Sequence, residues 1–182
     1  MPLSPPTNRK QIHHRAVECR GYRREDGLWD IEGYLRDTKS YTFSNQDRGE
    51  MEPGTPIHEM WLRLTVDDEF LIHEAEASLD YGPYNMCPRI AVNYANLKGL
   101  RIGPGWRREI NKIVGGVHGC THLRELLGPV ATTAFQTIYP ILSRQRQAAG
   151  EQQKPPLLGS CHAYAPDSEV VKRLWPNYYK GD

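Results

Sequence analysis

Long apolar runs are what this 182-residue sequence most plainly lacks. No stretch approaches the ~20 apolar residues of a membrane-spanning helix. The opening "MPLSPPTNRKQIHHR" has no apolar centre, so no secretory signal is expected in it. An excess of one charge is also missing, since 23 Lys and Arg stand against 22 Asp and Glu. Bulk electrostatics therefore give no grip on nucleic acid or on an anionic membrane. Cysteine is scarce: Cys19, Cys87, Cys120 and Cys161 lie far apart, without the spacing of a disulfide framework. Reduced thiols in a cytoplasmic protein are the expectation. There is no GxSxG, GxGxxG, Walker loop, paired CxxC or EF-hand loop, so the commonest signatures of catalysis and cofactor binding are excluded.

What is present reads as strands first and helices afterwards. Residues 1–12 are a Pro-rich polar arm. Strands run from Cys19 to Tyr41, broken by the Asp26-Gly27 turn signal. Beyond it Trp29, Ile31, Gly33 and Leu35 share one face, and Asp30, Glu32, Tyr34 and Arg36 the other. Residues 44–56 are a loop by composition. "IHEMWLRLTV" alternates again, with Met60, Leu62, Leu64 and Val66 on one side, and "DDE" turns it into "FLIHEAEASL" as a hairpin. Helices follow in "CPRIAVNYANLKGL", in "GWRREINKIVGG" and in the long segment from Thr121, whose stripe is Leu123, Leu127, Val130, Ala134 and Ile138. Pro140 should kink or loosen that last helix. The expected fold is α+β: an antiparallel sheet from the N-terminal half, with helices of the C-terminal half packed on one face. One domain should cover 13–147, and 148–182 should form an extension with a short helix through "DSEVVKRLW".

Three places can carry chemistry. In "GGVHGCTHL" the glycines free the backbone before Cys120, so the segment should be a loop meeting a helix N-terminus, which favours a thiolate there. A metal site would need more ligands than these residues supply, and Cys87 or His58 are the donors to hand. Capping with a buried Cys120, metal binding, and an activated Cys or His all remain open. At ~100° per residue His122 falls about a quarter-turn from the apolar stripe, at the margin of the buried face. His118, among glycines, should be exposed and dispensable.

The second place is "IHEM", where His58 has the parity of Met60, Leu62, Leu64 and Val66 and should point inward. The third is "YLRDTKSY", where the face of Trp29 and Leu35 extends to Asp37 and Lys39. Either the strand has ended and both are solvated, or they pair beside a pocket, Lys39 holding an anionic group and Asp37 orienting it. In the second case Asp37, Lys39 and His58 approach one another. Glu32, on the opposite face, is a weaker candidate, and "SCHAY" at 160–164 reads as structural.

Taken together, "DGLWDIEGYLRDTK", "PIHEM", Cys87, "LKGL", "GW" and "GCTHL" resemble a bacterial family known as domain of unknown function 2889, over a stretch from about His14 to Gln147. The resemblance implies a stand-alone bacterial cytoplasmic protein, with Glu32, Asp37, Lys39, His58, Cys87, Cys120 and His122 in the family pattern. It also implies company with aromatic and acyl-CoA catabolism.

Three functional readings follow. In the first, the protein is a small enzyme of lyase or hydrolase type acting on a small aromatic or acyl molecule. His58 and His122 carry protons, and Lys39 and Asp37 serve an anionic or phenolate group. In the second, the protein binds zinc or an iron–sulfur centre, with Cys87, Cys120 and His122 as ligands. In the third, the protein is a non-catalytic ligand-binding module. The expected partner is a small molecule, with no nucleic acid and no membrane, and a homo-oligomer is compatible with the sequence.

Overall fold

The computed structural model describes residues 3–151 and 154–181. Six strands come first: β1 (His13–Arg23), β2 (Trp29–Lys39), β3 (Phe43–Asn45), β4 (Gly49–Met51), β5 (Pro56–Val66) and β6 (Ile72–Tyr81). Four of them pair antiparallel in the order β1-β2-β5-β6, and β3 and β4 form a separate small hairpin. A 3₁₀ run at Cys87–Leu97 follows, then α1 (Trp106–Val114), α2 (Thr121–Ala148) and α3 (Glu169–Leu174). The α+β expectation holds. The sheet comes from the N-terminal half and the helices from the C-terminal half.

Alternation sets which face is buried. Trp29, Ile31 and Leu35 on β2 and Met60, Leu62, Leu64 and Val66 on β5 are all buried, while their neighbours along the strands, Thr65 apart, are more accessible. Each such side chain withdrawn from water contributes about 1.5–3 kcal/mol, so this face is the core. Helix α2 supplies the facing surface through Leu123, Leu126, Leu127, Val130, Ala134 and Ile138, all essentially inaccessible. It lies so close that a Cβ built on Gly21 would sit 2.0 Å from Thr137 Oγ1.

Turn chemistry behaves as read at two hairpins. Gly27 takes φ +88° after Asp26, whose carboxylate accepts from Leu28 N–H. Asp67 Oδ1 accepts from the N–H groups of Glu69 and Leu71 and so closes the β5–β6 turn.

Two readings are corrected. Residues 44–56 are not all loop, because Asn45 Oδ1 caps the N–H groups of Asp47 and Arg48 and Gly49 adopts φ +72°, which closes the β3–β4 hairpin. The first strand begins at His13 rather than Cys19, since pairing with β2 runs the full length from His13 opposite Lys39. The chain divides into two units, Met1–Ile141 and Leu142–Asp182. In the second unit α3 is capped by Ser168, whose Oγ accepts from Val171 N–H, and Tyr164 packs against Trp175.

Candidate active site

The inward face of β2 ends on a charge. Asp37 is wholly inaccessible, yet it continues the face of Trp29, Ile31, Gly33 and Leu35. A carboxylate with no access to water must be met by donors at every lone pair or lose several kcal/mol. It is fully met. Arg15 on β1, directly opposite in the register, donates through Nε to Oδ1 and through Nη2 to Oδ2, both at 2.8 Å. His13 Nε2 lies 3.2 Å from Oδ1, and His58 Nδ1 lies 2.9 Å from Oδ2.

The register explains His58. It sits opposite Asp37 on β5, and the pairing then slips, so that Thr38 faces Pro56. His58 therefore points to the buried side, as its parity with Met60 predicts. From the other side α2 brings His122, whose ring centroid is 3.8 Å from that of His58. Cys120 Sγ lies 3.9 Å from His122 Nδ1. Arg15 reaches back to α2 as well, with Nη1 at 2.9 Å from Glu125 Oε2.

These contacts dictate protonation. Burial works to raise the Asp37 carboxyl, but the Arg15 guanidinium, with His13 and His58, outweighs it and holds the group down at about 2. An ionised carboxylate can only accept, so His58 carries its proton on Nδ1 and leaves Nε2 as a lone pair. Burial, and next the neighbouring His122, lower the pKa of His58. Burial, and next the charge of Arg15, lower that of His122. The result is a pair of imidazoles in close, tilted contact that stay neutral below the usual imidazole range, one of them oriented by a buried anion.

The ligand atoms of Asp37, His58 and His122 all lie within 4.8 Å of one another, the one such group among the described residues. The donor set speaks against ligation through Asp37, because both its oxygens are already engaged by Arg15 and by a histidine. The expected ligand set of Cys87, Cys120 and His122 is not brought together. Cys87 opens the 3₁₀ run and packs where a Cβ on Gly82 would fall, 2.6 Å from its own Cβ. All four cysteines are free, as expected.

Lys39 closes β2, opposite His13 on β1. The slip after Asp37 ends the regular pairing of β2 with β5, and the Lys39 ammonium stands 4.1 Å over the Phe43 ring and 5.1 Å from Tyr41. It joins Gln11, His13, His14, Thr38, Ser40 and Gly54 around an open cleft of about 360 Å³. Glu32 lies on the other face, near Arg63. His118 is exposed in a short 3₁₀ turn, and its carbonyl accepts from Asn93.

Sequence reasoning missed Arg15 and His13. The signal was available: His13, Arg15, Val17, Cys19 and Gly21 alternate with the same parity, so the period-two pattern extends back past Cys19.

Residues 13–136 match the family model described as a protein of unknown function (DUF2889), and the chain belongs to that family. The match begins at His13, the first residue that touches Asp37. No curated protein and no solved structure matches the chain. Among the described residues, no helix is long and apolar enough to cross a membrane.

Proposed function

We propose that this protein is a small enzyme that works by acid–base chemistry on a small aromatic or acyl molecule, as a lyase or hydrolase. His58 is the general base, His122 the second proton carrier, and Asp37 the group that fixes the tautomer of His58. The observation that carries this reading is the hydrogen bond from His58 Nδ1 to a fully buried Asp37 that Arg15 keeps ionised. Burying the Asp37 carboxylate against half-buried imidazoles and a partly exposed arginine costs stability that an apolar cluster would not. Such an arrangement is expected where a proton must be taken and returned near neutral pH. Lys39, beside His13 and His14 at the open cleft, supplies a cation for a carboxylate or phenolate of the substrate.

The test is turnover by the full-length protein of a panel of aromatic and acyl esters, thioesters and hydroxylated acids, compared with His58→Gln. One class should be turned over, and the variant should lose about 100-fold or more in rate. Activity that survives His58→Gln overturns the reading. Tight binding of a panel member without turnover would replace it with a ligand-binding module. Stoichiometric zinc or iron in protein purified without an affinity tag would replace it with a metalloprotein.

A further inference from the structure

We propose that Cys120 is a nucleophile at this site, one that accepts an acyl group from a thioester, with His122 as its base. The proposal rests on the acid–base reading of His58 and His122 and adds to it the substrate class and the covalent step.

The backbone of Cys120 is held with unusual completeness. Tyr94, buried to 0 % exposure, donates through its hydroxyl to Cys120 O at 2.9 Å and accepts from Cys120 N–H at 3.2 Å. The turn that presents it is folded hard against the end of α1. A Cβ on Gly115 would lie 2.2 Å from Asn111 O, and one on Gly119 would lie 2.0 Å from Val114 O. A half-buried filler needs no such clamp, because an apolar contact tolerates shifts that a reacting atom does not.

The side chain has a partner to match. Cys120 Sγ is 3.9 Å from His122 Nδ1, and the His122 ring lies tilted against that of His58, which Asp37 holds in turn. Thiol, imidazole, imidazole and carboxylate thus form one connected series. A thiol becomes a nucleophile when an adjacent base takes its proton. The first-turn N–H groups of α2 lie immediately after Cys120 and have no intrahelical acceptors, so they are suited to a developing oxyanion. The other cysteines lack this setting: Cys87 packs on Gly82 and Cys161 is exposed.

A thioester fits because a thiol exchanging with it breaks and makes the same kind of bond. His122 takes the proton of Cys120, and Sγ attacks the carbonyl carbon to form an S–C bond. The bond from that carbon to the leaving sulfur breaks, and the departing thiolate takes the proton from His122. Water, deprotonated by His58, then attacks the acyl carbon. The Cys120 S–C bond breaks, the thiolate regains a proton, and a carboxylic acid leaves.

The test is alkylation of the folded, full-length protein by limiting iodoacetamide, with the sites read by peptide mass spectrometry. Cys120 should react ahead of exposed Cys161. His122→Ala should slow Cys120 by about tenfold, for want of the adjacent base, and leave Cys161 unchanged. A benzoyl thioester should leave an acyl adduct on Cys120, absent in Cys120→Ser and accumulating in His58→Gln. Reaction at Cys161 first, with Cys120 indifferent to His122→Ala, overturns the nucleophile. So does full turnover by Cys120→Ser, an outcome that leaves the role of His58 standing; loss of that role is read separately in His58→Gln.

Discussion

Gly33 and Val130 set the distance between the sheet and α2: a Cβ on Gly33 would fall 2.6 Å from Val130 Cγ2. Real side chains do not approach so closely, so the helix rests on the bare backbone of β2 two residues before Leu35 and four before Asp37. The separation that lets His122 touch His58 depends on this contact. Gly33→Ala should push α2 outward and cost about 1–3 kcal/mol by overpacking. Gly128 on the same helix has nothing within 4 Å of its Cβ position. Gly128→Ala should therefore stabilise, by up to about 1 kcal/mol from helix propensity. Denaturant midpoints of the two variants check both signs, and equal effects would mean that the Gly33 contact does not set the spacing.

Arg15 holds two carboxylates in different surroundings. Asp37 is buried, whereas the Glu125 side chain is 52 % exposed. Arg15→Ala leaves a buried anion with only two imidazoles for company and should cost about 3 kcal/mol. Glu125→Ala removes a solvated ion pair and should change stability by less than about 0.5 kcal/mol. Carboxyl-detected NMR gives a second reading. The Asp37 titration should move up from about 2 in Arg15→Ala and stay in place in Glu125→Ala.

Much of this was legible where alternation is strict. Asp37 and His58 were placed on the inward face by parity alone, and His122 by its quarter-turn offset from the α2 stripe. What escaped did so for physical reasons. Edge strand β1 is largely exposed, so its polar alternation resembles that of a solvated arm, and Arg15 went unseen. The β3–β4 hairpin is three residues a side, too short for a period to show. Cys87 and Cys120 looked like partners only because nothing local says where the chain carries each of them.

Acid should unfold the protein in two stages. The unfolded chain takes up imidazole protons near pH ~6.5, whereas burial makes His58 and His122 resist protonation in the fold. Their contribution to stability is full above that pH and is lost as pH falls below it. Asp37 follows the same sign lower down. Its folded pKa is about 2, so its contribution is full above the unfolded value of ~3.9 and fades as pH falls toward 2. Burial works to raise Asp67, but bonds from His73 and two backbone N–H groups lower it, so it adds to the second stage. Thermal unfolding from pH 8 to 2 checks this. His58→Gln with His122→Gln should flatten the upper stage, and Asp37→Asn should shrink the lower one. A Tm independent of pH between 7 and 5 in the unmodified protein would show that the imidazoles are not held neutral by the fold.

The two histidines of "GGVHGCTHL" should part company under substitution. His118 is exposed and contributes only backbone groups, its carbonyl accepting from Asn93 and its N–H donating to Gly115 O, which alanine supplies equally. His118→Ala should leave stability, His58 titration and turnover unchanged. His122 is fixed by α2 against His58, with ring centroids 3.8 Å apart, and its charge is one reason that His58 titrates low. In His122→Ala that repulsion disappears while the burial of His58 remains, so the His58 pKa should rise without reaching the solvent value. The variant should stay folded, within about 1 kcal/mol of the parent, because the ring is only half-buried and caps no backbone group. Turnover should fall about 100-fold or more if His122 moves a proton. Imidazole-detected NMR titration of the parent and both variants separates the outcomes. An unmoved His58 in His122→Ala would mean that the two imidazoles do not act as a unit in solution, and the second proton carrier would have to be sought elsewhere.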